Sequence, residues 1–312
     1  MDNSFQKVFT SRLANARTPP AMGRRVDPFA GMPKGDVSLE FSLTRSQATH
    51  IALGFLVPVL IQFGSVAYVK KYHKKFLASL DAQSRTDLGV RIASSVWGAV
   101  CGVWASTLIP EALRLGTTVS QRMYASPPIE SLEELKCLAA GFFAWDTVVS
   151  VMYYDRQYIA HAVVSVVTFL LPHLMPRKGF LQVYATFFLL WEVTLPFLSL
   201  RYIMIKAGKG DTKAFQVINF TGFGIWFSVR FLTGLPVMGM YCYDAYTVFK
   251  RGLAKPGYVY AWYAVSCVIL QVFNCIWLAA IIKALFRPKS KTKPSADAAA
   301  PAAASESKPK SS

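Results

Sequence analysis

Charge is scarce in this chain, and acidic charge is scarcer still. Asp, Glu, Lys and Arg make up 16% of its 312 residues, where an ordinary soluble domain carries roughly a quarter. That shortage excludes a disordered chain or a coiled coil as the main body, and it argues against a soluble enzyme. There are five cysteines, Cys101, Cys137, Cys242, Cys267 and Cys275, and no two of them form a CxxC pair. Neither a disulfide framework nor a zinc site is expected, and the thiols read as small buried apolar side chains. A Gly-rich phosphate loop, GxSxG and HExxH are all missing, so no metal or bound cofactor is expected. Nor does any nucleic-acid-binding motif stand behind the basic charge.

Apolar sequence is what the chain has in quantity. Hydrophobic residues reach 53%, and mean hydropathy is +0.33. A spanning helix needs about 20 mostly apolar residues, and seven such runs are present, at 51–69, 92–113, 136–154, 158–175, 179–205, 215–240 and 258–285. The fold expected is all-α, a polytopic membrane bundle of seven helices. It divides into a polar basic tail over 1–45, a first membrane helix over 46–69, a six-helix membrane domain over 70–286, and an Ala/Pro/Ser/Lys tail over 287–312 with too little to bury for folding. Only Asp155, Arg156 and Gln157 separate the third and fourth runs, which predicts a tight helical hairpin. Pro196 lies inside the fifth run and predicts a kink.

Lys and Arg total 34 against 17 Asp and Glu, a formal net charge of +17. The excess sits beside the apolar runs and in both tails, so it reads as membrane-flanking charge rather than a nucleic-acid surface. Lys70, Lys71, Lys74 and Lys75 follow the first run, Lys206, Lys209 and Lys213 the fifth, and Lys283 the seventh. With seven spans these fall on one side, and the positive-inside rule puts that side and the C-terminus in the cytosol. The opening stretch, with Lys7, Arg12, Arg17, Arg24 and Arg25, resembles a mitochondrial transit peptide, and no secretory signal is visible. Lys308 and Lys310, fifth and third from the end, resemble a dilysine retrieval signal. The location expected is the endoplasmic reticulum membrane, with the mitochondrial inner membrane as the alternative.

Ionisable groups inside a bilayer cost several kcal/mol unless paired or facing a cavity, so they are functional candidates. The set here is Asp146, His161, Glu192, Arg201 and Arg230. Asp146 and His161 sit at different distances from the hairpin turn, so the expectation is a shared polar cavity rather than a direct pair. Glu192 and Arg201 are nine residues apart, which on a regular helix puts them on opposite faces and about 13.5 Å apart. Arg230 is then the expected ion-pair partner of Glu192. Arg201 is expected to snorkel to headgroups, with anion binding by Arg201 or Arg230 as the alternative. Gly98-Ala-Val-Cys-Gly102 is a GxxxG that permits close helix packing. Asn219, Gln271 and Asn274 read as interhelical hydrogen-bond groups. Tyr68, Tyr72, Tyr258 and Trp262 read as an interfacial belt.

Together these pieces resemble a TLC-domain protein, the family shared with the ceramide synthases, over residues 70–245. The resemblance rests on Glu192-Val-Thr194-Leu-Pro196-Phe197 followed by Arg201-Tyr202, on Arg91-Ile-Ala-Ser94-Ser95-Val-Trp97, on Gly141-Phe-Phe-Ala-Trp-Asp146, and on Arg230 with Pro236 and the tyrosines after it. It implies six helices around a cavity able to admit an acyl chain, with the first helix packed outside. Two departures stand out. Trp97 occupies the place of a family histidine, and a histidine pair is reduced to His161 between Ala160 and Ala162. The implied function is binding of membrane lipids or acyl chains, with influence on membrane lipid composition and without full ceramide-synthase activity. In that reading Trp97, Glu192, Arg201 and Arg230 belong to the polar cavity. The alternatives are an acyltransferase using His161 with Asp146 and taking acyl-CoA, or a structural subunit of a membrane complex. A homo-oligomer is compatible with each.

Overall fold

The computed structural model describes residues 27–30, 32, 43–175 and 178–285. The arginine-rich start and the C-terminal lysines lie outside the described residues. Among the described residues there is no β-strand, and seven helices are long and apolar enough to cross a membrane.

The first span is α1 (Arg45–Tyr72), and a short α2 (Lys74–Ala78) leads from it to α3 (Ala82–Leu115). A five-residue α4 (Val119–Met123) precedes the hairpin of α5 (Glu130–Tyr153) and α6 (Arg156–Leu170), which ends in a 3-10 turn, Leu171–Leu174. The fifth span is broken. It consists of α7 (Gln182–Leu189), a 3-10 turn (Leu190–Thr194) and α8 (Leu195–Lys206). In the sixth, α9 (Lys213–Phe227) passes through a π-helical turn (Ser228–Thr233) into α10 (Gly234–Lys250), and α11 (Gly257–Leu285) is the seventh.

Several spans extend beyond their apolar runs because polar caps close the orphan amides of the first turn. Thr44 and Gln47 form a reciprocal capping box on α1. Asp81 accepts from the Ser84 amide at 2.7 Å to open α3, ten residues before its apolar run begins. That bond holds the Asp81 carboxyl below the usual range. Pro196 does not sit inside a regular helix as expected. It occupies the first turn of α8, where its missing N–H removes no bond, and the 3-10 turn ahead of it takes up the change of direction.

One end of the bundle gathers Val69, Leu77, Leu88 and Ile203 beside the lysines, where α1, α2, α3 and α8 meet. At the other end Phe29 is buried beneath the Arg251 guanidinium, and Ser120 binds the carbonyls of Pro28 and Ala30. α1 packs outside, against α3 and α5. A Cβ on Gly54 would strike the Leu138 carbonyl, and one on Gly141 would strike the Ile51 carbonyl, so α1 and α5 touch backbone to backbone. Gln62 adds a bond from Trp145 Nε1 at 3.1 Å. Three of the five thiols, Cys101, Cys137 and Cys267, are buried as expected. Cys242 and Cys275 are exposed instead, because their helix faces point outward.

Replacing Gly141 with valine should destabilise the protein by about 1–3 kcal/mol, because the methyls meet backbone that cannot move aside. Thermal unfolding in detergent reads this as a lowered midpoint. Gly239→Ala, at a position open to its surroundings, should leave the midpoint unchanged or slightly raised.

Candidate functional site

A cavity of about 410 Å3 lies among α3, α5, α6, α8, α9 and α11. Its size falls within the range of small-molecule sites. Phe142, Phe197, Ile218, Phe223 and Ile281 give it an apolar wall. Into it also face Asp146, His161, Glu192, Arg201 and Arg230, together with Arg91.

Glu192 is carried by the 3-10 turn, and Gly98 and Gly102 of α3 are what let that turn come close. A Cβ on Gly98 would meet the Glu192 carbonyl, and one on Gly102 would lie 2.7 Å from the Val193 Cβ. The tighter turn also changes the register of the fifth span. Glu192 and Arg201, expected on opposite faces, therefore line the same cavity.

The expected Glu192–Arg230 ion pair does not form, since no salt bridge joins them among the described residues. Glu192 accepts instead from Trp97 Nε1 at 3.2 Å. Arg230 donates to Asn274 Oδ1 at 2.8 Å, and its guanidinium lies over the rings of Trp191 and Trp277, at 5.3 Å and 5.6 Å. The π turn brings Arg230 inward, and such turns often mark functional sites. Trp97 is not a lining residue. It stands behind the wall, stacked on Phe142 at 4.7 Å, and holds Glu192 from there.

Arg201 turns inward rather than snorkelling, because Asn219 Oδ1 accepts from its Nε at 2.8 Å. Asn219 and Asn274 are interhelical partners as expected. Gln271 bonds only Asn274 of its own helix among the described residues. His161 and Asp146 share the cavity without a hydrogen bond to each other, and His161 packs edge-on against Trp277 at 5.4 Å.

Four buried nitrogens among the lining residues have no protein partner among the described residues: the donors Arg91 Nε, Arg230 Nε and Trp277 Nε1, and His161 Nδ1, which donates or accepts according to tautomer. Native interiors rarely leave such groups unsatisfied, and each specific case calls for an explanation. Chemically, the arrangement offers cationic and neutral donors to an anionic or carbonyl oxygen inside an apolar wall. It has no cluster of three or more metal-ligating side chains among the described residues.

At the opposite end of the molecule a buried acid is well partnered. Buried Asp244 accepts from Arg122 Nε at 2.5 Å and Nη2 at 2.8 Å, and from the Tyr184 hydroxyl at 2.5 Å. This keeps the Arg122 guanidinium firmly protonated. Sequence reasoning passed over Asp244, although a lone acid between Tyr243 and Tyr246 was a visible signal. It also missed Arg91 as a lining residue, though Arg91 and Ser94 stand three apart on one helix face. At the rim, Tyr154 donates to Asp87 at 3.1 Å, and burial together with that carboxylate pushes its phenol up.

The family model described as the TLC domain matches residues 87–283. An uncharacterized TLC domain-containing protein of Saccharomyces cerevisiae is 28% identical over 151 residues, covering 46% of this chain and 45% of that protein, less than half its length. An uncharacterized TLC domain-containing protein of Schizosaccharomyces pombe is 22% identical over 276 residues, covering 82% of this chain and 88% of that protein. Human TLC domain-containing protein 4 is 24% identical over 239 residues, covering 73% and 85%. No solved structure gives a significant match.

Replacing Trp97 with phenylalanine should keep the stacking on Phe142 but withdraw the donor from buried Glu192. The expected loss is roughly 1–3 kcal/mol of stability, seen as a lower unfolding midpoint. Trp97→His restores a ring N–H and should recover part of that loss. An unshifted midpoint in Trp97→Phe would show that the bond contributes nothing.

Proposed function

The chain belongs to the TLC-domain family, and we propose that it binds a membrane lipid or an acyl chain in its interior cavity and thereby influences membrane lipid composition. The observation that carries this reading is the set of unpartnered buried nitrogens, led by Arg230 Nε and His161 Nδ1, inside a wall of phenylalanine and aliphatic side chains. A guanidinium at bilayer depth with donors to spare fits an occupant with an oxygen-rich head and an apolar tail. Arg201 and Arg91 extend the same chemistry toward the rim. The location we propose is the endoplasmic reticulum membrane, with the mitochondrial inner membrane as the alternative.

Acyl transfer is the second reading, favoured by the free Nδ1 of His161. There His161 would take the proton of an attacking acceptor, with acyl-CoA as donor, and Asp146 would support the charge on the ring. The histidine pair reduced to one is what ranks this reading below simple binding.

Native mass spectrometry with lipid extraction, on protein purified in mild detergent, tests both. One lipid class should co-purify with the native chain. Its retention should fall at least tenfold in Arg230→Gln and in His161→Ala, each checked for an intact helical fold. A chain that retains no lipid would overturn the proposal. Acylation of an added acceptor from acyl-CoA by the native chain, with release of free CoA, and its loss in His161→Ala would establish transfer instead.

A further inference from the structure

We infer that the cavity is filled sideways from the bilayer, through a gap between α9 and α11 at the lysine-rich end, by the hydrocarbon chain of a lipid resident in that leaflet. This rests on the lipid-binding reading above and adds to it the route and the source of the occupant.

α3, the α5–α6 turn and α8 are tied at the lysine-rich end by Asp87, which accepts from the hydroxyls of Tyr154 at 3.1 Å and Tyr202 at 3.4 Å. Arg91 covers the Tyr202 ring at 4.1 Å. α8 and α9 are joined by the Arg201–Asn219 bond and by Gly222, whose missing side chain leaves room for Phe197. α6 and α11 are joined by Trp277, which packs on both His161 and Tyr158. At the far end of the bundle Arg122, Asp244 and Tyr184 are bonded to one another.

One boundary is left. α9 and α11 both contribute to the lining, through Ile218 and Phe223 on one side and Ala280 and Ile281 on the other. Yet among the described residues these two helices are not one of the closely packed pairs of the bundle. The Arg230–Asn274 bond spans the gap from the π turn above, and so forms its upper edge.

The surroundings of the gap identify the occupant. Val217 and Phe220 on α9, and Ile276 and Ile282 on α11, are exposed apolar side chains on the outer surface of the two helices. In a membrane span such residues face hydrocarbon. A water-borne anion would have to cross that apolar border, whereas an acyl chain already in the leaflet passes from one apolar medium to another. Its oxygen-rich head then lies against the guanidinium groups that face the cavity, Arg91 and Arg201 toward the lysine-rich end and Arg230 deeper in.

The test uses the full chain in phosphatidylcholine vesicles containing phosphatidylcholine and fatty acid probes with a diazirine on the acyl chain. After illumination, labelled peptides are mapped by mass spectrometry. The native chain should be labelled in the interior, on peptides carrying Phe142 and Glu192. Ala280→Trp, and independently Ile218→Trp from the facing wall, should lower that interior labelling at least fivefold and leave labelling of outward Val268 unchanged. Equal interior labelling in both variants would overturn the lateral route while leaving the lipid cavity standing. Absence of interior labelling in the native chain would overturn the cavity reading, and the route with it.

Discussion

The close approach of Gly98 and Gly102 to the turn at Leu190–Thr194 is the contact on which the site depends. Two missing side chains let α3 rest on the backbone of the fifth span. The span answers by tightening to a 3-10 turn and restarting at Pro196. That restart rotates Arg201 onto the same cavity as Glu192, and it sets Glu192 within reach of the indole N–H of Trp97. Larger residues at these two glycines would push the helices apart and separate the groups that meet there.

Charge buried in a bilayer has to be held by the protein itself, and the two ends of this bundle do so differently. At the far end, Asp244 receives a two-pronged bond from Arg122 and another from Tyr184, so little hydrogen-bonding capacity is left over. At the cavity, Arg230 has one amide acceptor and two indole faces, and one of its nitrogens remains unpartnered. Aromatic faces stabilise a guanidinium without consuming its donors. The first arrangement rigidifies a closed end, while the second keeps donors available in an apolar space.

Trp97 holds the buried carboxylate of Glu192 with a ring that stacks as well as donates. An indole N–H donates to Glu192 as an imidazole N–H would, and the larger ring gains stacking on Phe142. An indole, however, does not accept a proton at neutral pH. At this position Glu192 keeps a donor, from a ring that has no basic nitrogen.

The seven spans were legible in the sequence, as was the grouping of lysines at one end. The transfer free energy of a segment into a bilayer is a sum over its own residues, so no knowledge of neighbours is needed to find it. The ionisable candidates were legible for the same reason, since a charged side chain in an apolar run is conspicuous wherever its helix lies. Their partners were not. Trp97 and Glu192 are 95 positions apart, and Arg230 and Asn274 are 44 apart, so only the packed bundle chose those pairs over the expected Glu192–Arg230 one. The 3-10 turn and the π turn were equally hidden. A spanning segment must satisfy its backbone internally, and from its own residues it reads as one regular helix. Where that helix tightens or widens is decided by the glycines, indoles and amides of the helices against it.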